Sequence, residues 1–210
     1  MRIILLHGLG QTAAAWDGVT SRLPQEYTIS TPELTELAAG DCTYDSLYRG
    51  FCGYCGGFSE PLLLCGLSLG TVLALNYAAE FPERVCGIVL IAPQYKMPRT
   101  LLKFQSAVFR VMPESAFKGM GFTKSDVIRL TGSMARLDFT NSLPRIACPV
   151  TIACGEKDRT NMKAARELFR LLPGSELTVI TGCGHETNLG NPDETTVMIG
   201  TAAKLCLNKE

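Results

Sequence analysis

The stretch Gly66-Leu67-Ser68-Leu69-Gly70 follows directly on the apolar run Leu62-Leu63-Leu64-Cys65. The apolar run predicts a buried strand, and the residues after the stretch predict a helix that Pro82 brings to an end. A serine at such a strand-to-helix turn needs a strained backbone, so that its hydroxyl stands clear of the sheet edge. The two flanking glycines are expected to leave room for the turn, because a side chain at either position would collide with the neighbouring strand or helix. Ser68 is therefore the candidate nucleophile.

Three further predicted strands also end in residues that can carry chemistry. They are Arg2–Leu6 before His7-Gly8-Leu9-Gly10, Val150–Cys154 before Gly155-Glu156-Lys157-Asp158, and Glu176–Ile180 before Gly182-Cys183-Gly184-His185. The resulting order of Ser68, Asp158 and His185 along the chain is serine, acid, histidine. This order differs from the two orders found in the serine proteases.

These four motifs, in this order and spacing, resemble the α/β-hydrolase fold family, and the resemblance covers the chain from Ile3 to about Leu205. It implies an α/β fold with a mostly parallel sheet of about six strands and helices on both faces. Many family members begin with two additional strands, whereas this chain opens on the strand before His7. The resemblance also implies one domain over residues 1–210, with a small helical cap inserted at residues 94–147 that covers the serine.

The alternation of strand and helix patterns along the chain independently predicts a mostly parallel sheet covered on both faces. Strands are predicted at Arg2–His7, Tyr27–Ser30, Pro61–Cys65, Val85–Ala92, Pro149–Cys154 and Ser175–Thr181. Helices are predicted to begin near Thr12, Thr43, Ser68, Met162 and Pro192. Asn161 and Asn191 are the candidate N-caps of the last two helices.

Length and charge limit the classes of protein that the chain can represent. Its 210 residues suit one domain, and the 20 basic residues balance the 20 acidic ones. That balance argues against a nucleic-acid partner or a generally acidic one. No apolar run approaches the roughly 20 residues that span a bilayer, and Met1-Arg2 leads into a strand without an export signal. We therefore expect a cytoplasmic protein without a membrane span, and the oligomeric state stays open.

The nine cysteines are expected to be reduced thiols, many of them buried as small apolar residues. The run Cys52-Gly53-Tyr54-Cys55 invites a redox or metal interpretation, but no second pair of this kind accompanies it. The only two histidines, His7 and His185, belong to other motifs. No Gly-rich phosphate loop is present either. The sequence therefore implies no metal and no cofactor.

The three candidate residues can act together as a nucleophile and its base. A neutral serine hydroxyl is a weak nucleophile, so Ser68 needs a base within hydrogen-bond reach. His185 can take that proton and later deliver it to the leaving group. Asp158 would accept the other imidazole N–H and stabilise the imidazolium. Glu156 on the same loop is the alternative acid, although the offset of Asp158 from Gly155 fits the family pattern.

The resemblance also assigns groups around these three residues. It implies an oxyanion hole formed by the backbone N–H groups of Leu9 and Leu69. His7 is interpreted as a structural residue that braces the loop carrying Leu9. Trp16 and Tyr95 are candidates for substrate binding.

The function predicted from these residues is a serine hydrolase that cleaves a carboxylic ester or thioester, of a small or acyl-chain substrate, through an acyl-enzyme. Alternatives on the same triad are a C–C bond hydrolase, a lyase or a perhydrolase, and a non-catalytic ligand receptor on the same scaffold. Haloalkane dehalogenases and epoxide hydrolases of this fold carry a carboxylate nucleophile, so Ser68 argues against both. Nine basic and three acidic residues at 94–147 indicate either a lid for anionic substrates or solvated helix faces.

Overall fold

Six parallel strands form one sheet in the computed structural model, which describes residues 1–38, 40–97, 108–119 and 121–208. They are β1 (Arg2–Leu6), β2 (Thr28–Ser30), β3 (Leu62–Leu67), β4 (Val85–Ile91), β5 (Val150–Gly155) and β6 (Glu176–Ile180). Their order across the sheet is β2-β1-β3-β4-β5-β6, and every neighbouring pair is parallel. The strand order switches direction at β1, because β2 lies on one side of β1 and β3 to β6 lie on the other. Ligands of open α/β sheets bind at such a switch point.

The helices cover both faces of this sheet. Within the described residues they are α1 (Asp17–Thr20), α2 (Leu34–Leu37), α3 (Tyr44–Gly56), α4 (Leu69–Glu80), α5 (Lys124–Met134), α6 (Arg159–Leu171), α7 (Thr187–Gly190) and α8 (Pro192–Leu207). Short 3-10 turns lie at Ala13–Trp16, Pro82–Arg84, Glu114–Phe117 and Leu143–Arg145. None of the helices in this part of the chain has the length and apolar character needed to cross a bilayer.

Two apolar clusters, one on each face, follow from the alternation of side chains along the strands. Ile4 and Leu64 belong to the cluster that α3, α4, α5 and α6 cover. Ile3 and Leu63 belong to the opposite cluster, which α1 and α8 cover. All six residues of β3 are buried, because a central parallel strand is covered on both faces. The predicted fold class is therefore confirmed.

Two predicted helix starts differ from the structure. The helix expected near Met162 begins at Arg159, and its N-cap is Asp158, whose side chain accepts from the Asn161 N–H at 3.1 Å. The sequence offers two good capping residues three positions apart, and the earlier one caps the helix. Near Thr12 the chain forms a 3-10 turn followed by the short α1. By contrast, α8 begins at Pro192 with Asn191 as its cap, as predicted.

The segment between β4 and β5 contains helical structure that packs on the same face of the sheet as α3 and α4. Residues 108–111 are helical, and α5 begins with a capping box between Thr123 and Asp126. The inner face of α5 joins the same apolar cluster as α3 and α4 through Val127 and Leu130. Residues 98–107 and Met120, which belong to the predicted cap, lie outside the described residues. A cap insertion at 94–147 of a single domain stays a prediction.

Gly70 gives a direct test of how tightly α4 packs on β1. A Cβ at this position would lie 2.2 Å from the Leu6 carbonyl oxygen, which is far inside van der Waals contact. We expect Gly70→Ala to lower the free energy of unfolding by at least about 2 kcal/mol, because the backbone must move to relieve the clash. Urea unfolding followed by circular dichroism measures the change.

Gly132 in α5 provides the matched control. No atom lies within 4 Å of a Cβ built there, so Gly132→Ala gains helix propensity without a clash. It should raise the free energy of unfolding by about 0.5–1 kcal/mol. Equal stability of the two variants would contradict the close contact between α4 and β1.

Candidate active site

Ser68 lies in a strained turn between β3 and α4. Its φ of 51° and ψ of −108° are unfavourable for a residue with a side chain. Contacts on both sides hold the turn, since the Ser68 N–H donates to the Ile91 carbonyl at 3.0 Å and the Thr71 N–H donates to the Ser68 carbonyl at 3.0 Å. A Cβ on Gly66 would lie 2.3 Å from Gly70 backbone atoms. The predicted need for glycine on both sides of the serine is thus confirmed.

His185 and Asp158 form a hydrogen-bonded pair at the ends of β6 and β5. The His185 Nδ1 lies 2.7 Å from Oδ2 of Asp158, whose side chain is only 6% exposed, against 41% for the histidine. Gly155 allows the two loops to meet, because a Cβ there would lie 1.9 Å from the Gly184 carbonyl oxygen. Glu156, the alternative acid, instead accepts from the Gly182 N–H at 3.0 Å. The geometry therefore pairs the histidine with Asp158.

Asn161 is a further residue of the site, and the sequence indicated it only as an N-cap. Its Nδ2 lies 3.0 Å and 2.8 Å from the two carboxylate oxygens of Asp158, while its Oδ1 accepts from Gln94 at 2.8 Å. Burial opposes ionisation of Asp158, but the hydrogen bonds from His185 and Asn161 outweigh it and hold the pKa of the carboxyl below its ordinary value. Asp158 is thus kept ionised beside His185.

The Asn161→Ala variant tests this support. We expect kcat to fall about tenfold with KM changed less than about twofold, because weaker support of the Asp158 carboxylate that raises the barrier by about 1.4 kcal/mol lowers the rate by a factor of ten. Between pH 5 and pH 3, the free energy of unfolding should also fall less in the variant than in the wild type. The pKa of the Asp158 carboxyl is lower in the folded protein than in the unfolded chain, where it is about 4. The ionised carboxylate therefore stabilises the folded state above that pH, and this stabilisation is lost as pH falls.

Steady-state kinetics and urea unfolding at the two pH values measure these effects. An unchanged kcat together with an unchanged pH dependence of stability would contradict the role of Asn161.

A cavity of about 440 Å³ brings Ser68, Asp158 and His185 together. Asn161 also lines it. Apolar side chains from α4, α5 and the segment before α5 form much of the remaining wall. They include Val72, Met97, Phe109, Phe117, Val127 and Met134. The cavity is therefore polar at the serine and apolar beyond it, as sites for organic ligands commonly are.

Leu9 and Leu69, the predicted oxyanion-hole residues, line the same cavity. Leu69 is the first residue of α4, so its N–H has no acceptor within the helix and lies at the positive end of the helix dipole. Leu9 lies in a turn that is closed by Gln11, whose N–H donates to the Gly8 carbonyl at 3.2 Å. Buried His7 adds to this loop, with Nδ1 2.9 Å from the Gly8 carbonyl oxygen. One cavity is thus lined by all five residues that were predicted as catalytic or oxyanion-hole residues: Leu9, Ser68, Leu69, Asp158 and His185.

The two predicted substrate-binding residues lie elsewhere. Trp16 is fully buried in the apolar cluster on the opposite face of the sheet, with Ile3 and Leu5, so its expected place in the cavity wall is corrected. Tyr95 lines a neighbouring groove of about 640 Å³, and its hydroxyl donates to Glu167 at 3.4 Å. Gln94, Met97 and Thr160 border both the groove and the cavity.

Comparison with known proteins finds relatives that align with most of this chain. A curated pimeloyl-[acyl-carrier protein] methyl ester esterase from Nitrosomonas europaea is 24% identical, over 91% of this chain and 91% of the relative. An uncharacterised protein of Mycobacterium tuberculosis is 29% identical, over 87% of this chain and 69% of the relative.

Solved structures show the same fold. A thermophilic esterase from Thermogutta terrifontis, with malate bound, gives a TM-score of 0.77 at 21% identity, over 100% of this chain and 90% of that chain. A carboxylesterase structure from Nitrososphaera gargenis gives 0.84 at 16% identity, over 100% and 92%. The model of the alpha/beta hydrolase family matches residues 3–197. The chain therefore belongs to the alpha/beta hydrolase family.

Proposed function

We propose that this protein is a serine hydrolase that cleaves a carboxylic ester or thioester through an acyl-enzyme intermediate. The observation that carries the proposal is one cavity that holds Ser68 on a strained turn together with a His185–Asp158 pair at 2.7 Å. Serine hydrolases use these three groups as nucleophile, base and orienting acid. The names of several relatives, which are methyl ester esterases, favour an ester over a thioester.

In the proposed first half-reaction, the Ser68 hydroxyl oxygen attacks the carbonyl carbon of the ester. His185 removes the hydroxyl proton at Nε2, because its Nδ1 is engaged with Asp158. The imidazolium that forms is stabilised by the adjacent carboxylate. The carbonyl oxygen becomes negative and accepts hydrogen bonds from the backbone N–H groups of Leu9 and Leu69, each worth about 2.7–4 kcal/mol in the transition state.

Collapse of this intermediate breaks the bond between the carbonyl carbon and the alcohol or thiol. His185 returns the proton to that leaving group, and the acyl group stays on Ser68. A water molecule then gives its proton to His185 and attacks the acyl carbon. The bond between this carbon and the Ser68 oxygen breaks, His185 returns the proton to the serine, and the carboxylic acid is released. The apolar wall of the cavity suits the hydrocarbon part of an acyl group.

A panel of p-nitrophenyl esters and matched acyl thioesters, with increasing acyl length, tests the function. We expect kcat/KM of about 10⁴ M⁻¹s⁻¹ or more for the preferred ester and an initial burst of p-nitrophenol that is stoichiometric with enzyme. The burst reports the accumulation of an acyl-enzyme. Absence of turnover across the whole panel, in protein shown to be folded by circular dichroism, would overturn the proposed hydrolysis of an ester or thioester.

A further inference from the structure

Two buried carboxamides, Gln11 and Asn188, form a reciprocal pair between distant parts of the chain. The Gln11 Nε2 donates to Asn188 Oδ1 at 3.2 Å, and the Asn188 Nδ2 donates to Gln11 Oε1 at 3.3 Å. The two residues are 177 positions apart in sequence. Gln11 is 5% exposed and Asn188 is 1% exposed, so water does not replace these contacts. Neither side chain is used in the chemical steps of the proposed reaction.

Every polar group of the pair is used. The second N–H of Gln11 donates to Glu186 at 3.1 Å, and the second N–H of Asn188 donates to the Ala15 carbonyl at 3.0 Å. The Gln11 Oε1 also accepts from the Gly8 N–H at 3.2 Å. Because a buried polar group without a partner is costly, this pattern fixes both side chains in one orientation.

The pair connects the two loops on which the proposed chemistry depends. Gln11 closes the turn that carries Leu9 by bonding Gly8 with both its side chain and its backbone. Asn188 follows His185 by three residues and lies in α7. This turn lies against the nucleophile, since a Cβ on Gly8 would lie 3.6 Å from the Ser68 Cβ.

We propose that Gln11 and Asn188 are positioning residues that hold the Leu9 N–H and the His185 ring in register with Ser68. The inference rests on the proposed function and adds to it how these two loops are held. Neither side chain lines the catalytic cavity, so the pair acts on the transition state through the loops and leaves binding of the ground-state substrate unchanged. A displacement of about 1 Å is enough to cost about 100-fold in rate.

The experiment compares Gln11→Ala, Asn188→Ala and the double variant. We expect each single variant to lower kcat about 30-fold with KM within about twofold of wild type. The double variant should be no slower than the slower single variant, because one break already separates the loops. Affinity for a trifluoromethyl ketone, which forms a tetrahedral adduct with the serine, should fall by the same factor as kcat/KM.

One control variant separates positioning from a general loss of stability. Asn76→Ala removes a carboxamide hydrogen bond of 3.1 Å to the Tyr44 hydroxyl, away from both loops, and should leave kcat within about twofold. Where an alanine variant does not fold, Gln11→Glu or Asn188→Asp takes its place. Each keeps the side-chain oxygen acceptor of the original carboxamide and loses the N–H donors.

Additive losses, a raised KM with unchanged kcat, or an equal loss of kcat in Asn76→Ala would overturn the proposal. An active wild type whose Gln11 and Asn188 variants keep full kcat would overturn this inference while the proposed function stands. A folded wild type that neither turns over esters nor binds the ketone would overturn both.

Discussion

We expect the Ser68→Ala variant to lose at least about three decades of kcat while it keeps the fold. The substitution removes one hydroxyl and leaves the strained φ of 51° in place. The oxyanion donors and the cavity remain, so a small residual rate above the uncatalysed reaction should persist. Kinetics with the preferred p-nitrophenyl ester measure the loss, and circular dichroism confirms the fold.

Ser68→Gly is a second inactive variant with a different effect on stability. Glycine tolerates a positive φ without steric strain, so this variant should be more stable than Ser68→Ala by about 1 kcal/mol or more. That difference would show that the turn is strained for any residue with a side chain. Activity of either variant within tenfold of wild type would remove Ser68 from the mechanism.

The second large effect is expected for Asp158→Asn, which should lower kcat by about two to four decades. An amide can hold the His185 imidazole in the wrong tautomer and does not stabilise the imidazolium. The fold should survive, because asparagine is a good N-cap and can still accept from the Asn161 N–H at the start of α6. Steady-state kinetics and thermal unfolding separate the two effects.

Glu156→Gln is the matched control on the same loop. Its side chain accepts from the Gly182 N–H and does so equally well as an amide. We expect kcat within about threefold of wild type. A severe loss in Glu156→Gln together with a mild one in Asp158→Asn would transfer the role of the acid to Glu156.

The sheet and the five residues of the proposed chemistry were predictable because each motif comes shortly after a strand that the sequence pattern reveals. Parallel strands end at the same edge, so Ser68 at the end of β3 and His185 beyond β6 are brought to one side of the sheet. Periodicity identifies the strands, and the residues after them identify the chemistry. Local sequence was enough for this part of the site.

Contacts between distant segments were not predictable in the same way. The Gln11–Asn188 pair depends on the relative positions of two loops 177 residues apart, and no local pattern encodes that distance. Trp16 was misplaced for a related reason. An aromatic residue after β1 can face either side of the sheet, and periodicity does not decide which side meets the cavity.

The partners of the basic residues in the segment 94–147 were also not predictable from the sequence. The Lys124 Nζ donates to the carbonyl oxygens of Arg110 and Met112, and Lys96 forms an ion pair with Asp138 at 3.0 Å. These cations therefore have structural partners within the chain. Arg99 and Lys103 lie outside the described residues, so the hypothesis of a basic lid for anionic substrates stays a prediction.

Covalent labelling with a fluorophosphonate tests the central claim most directly, because the reagent reacts with an activated serine and needs no knowledge of the natural substrate. Intact mass spectrometry should show one adduct per chain, and peptide mapping should place it on Ser68. Labelling should be lost in Ser68→Ala and slowed strongly in Asp158→Asn. A folded wild-type protein that takes up no label, or that carries the label on another residue, would contradict Ser68 as the nucleophile.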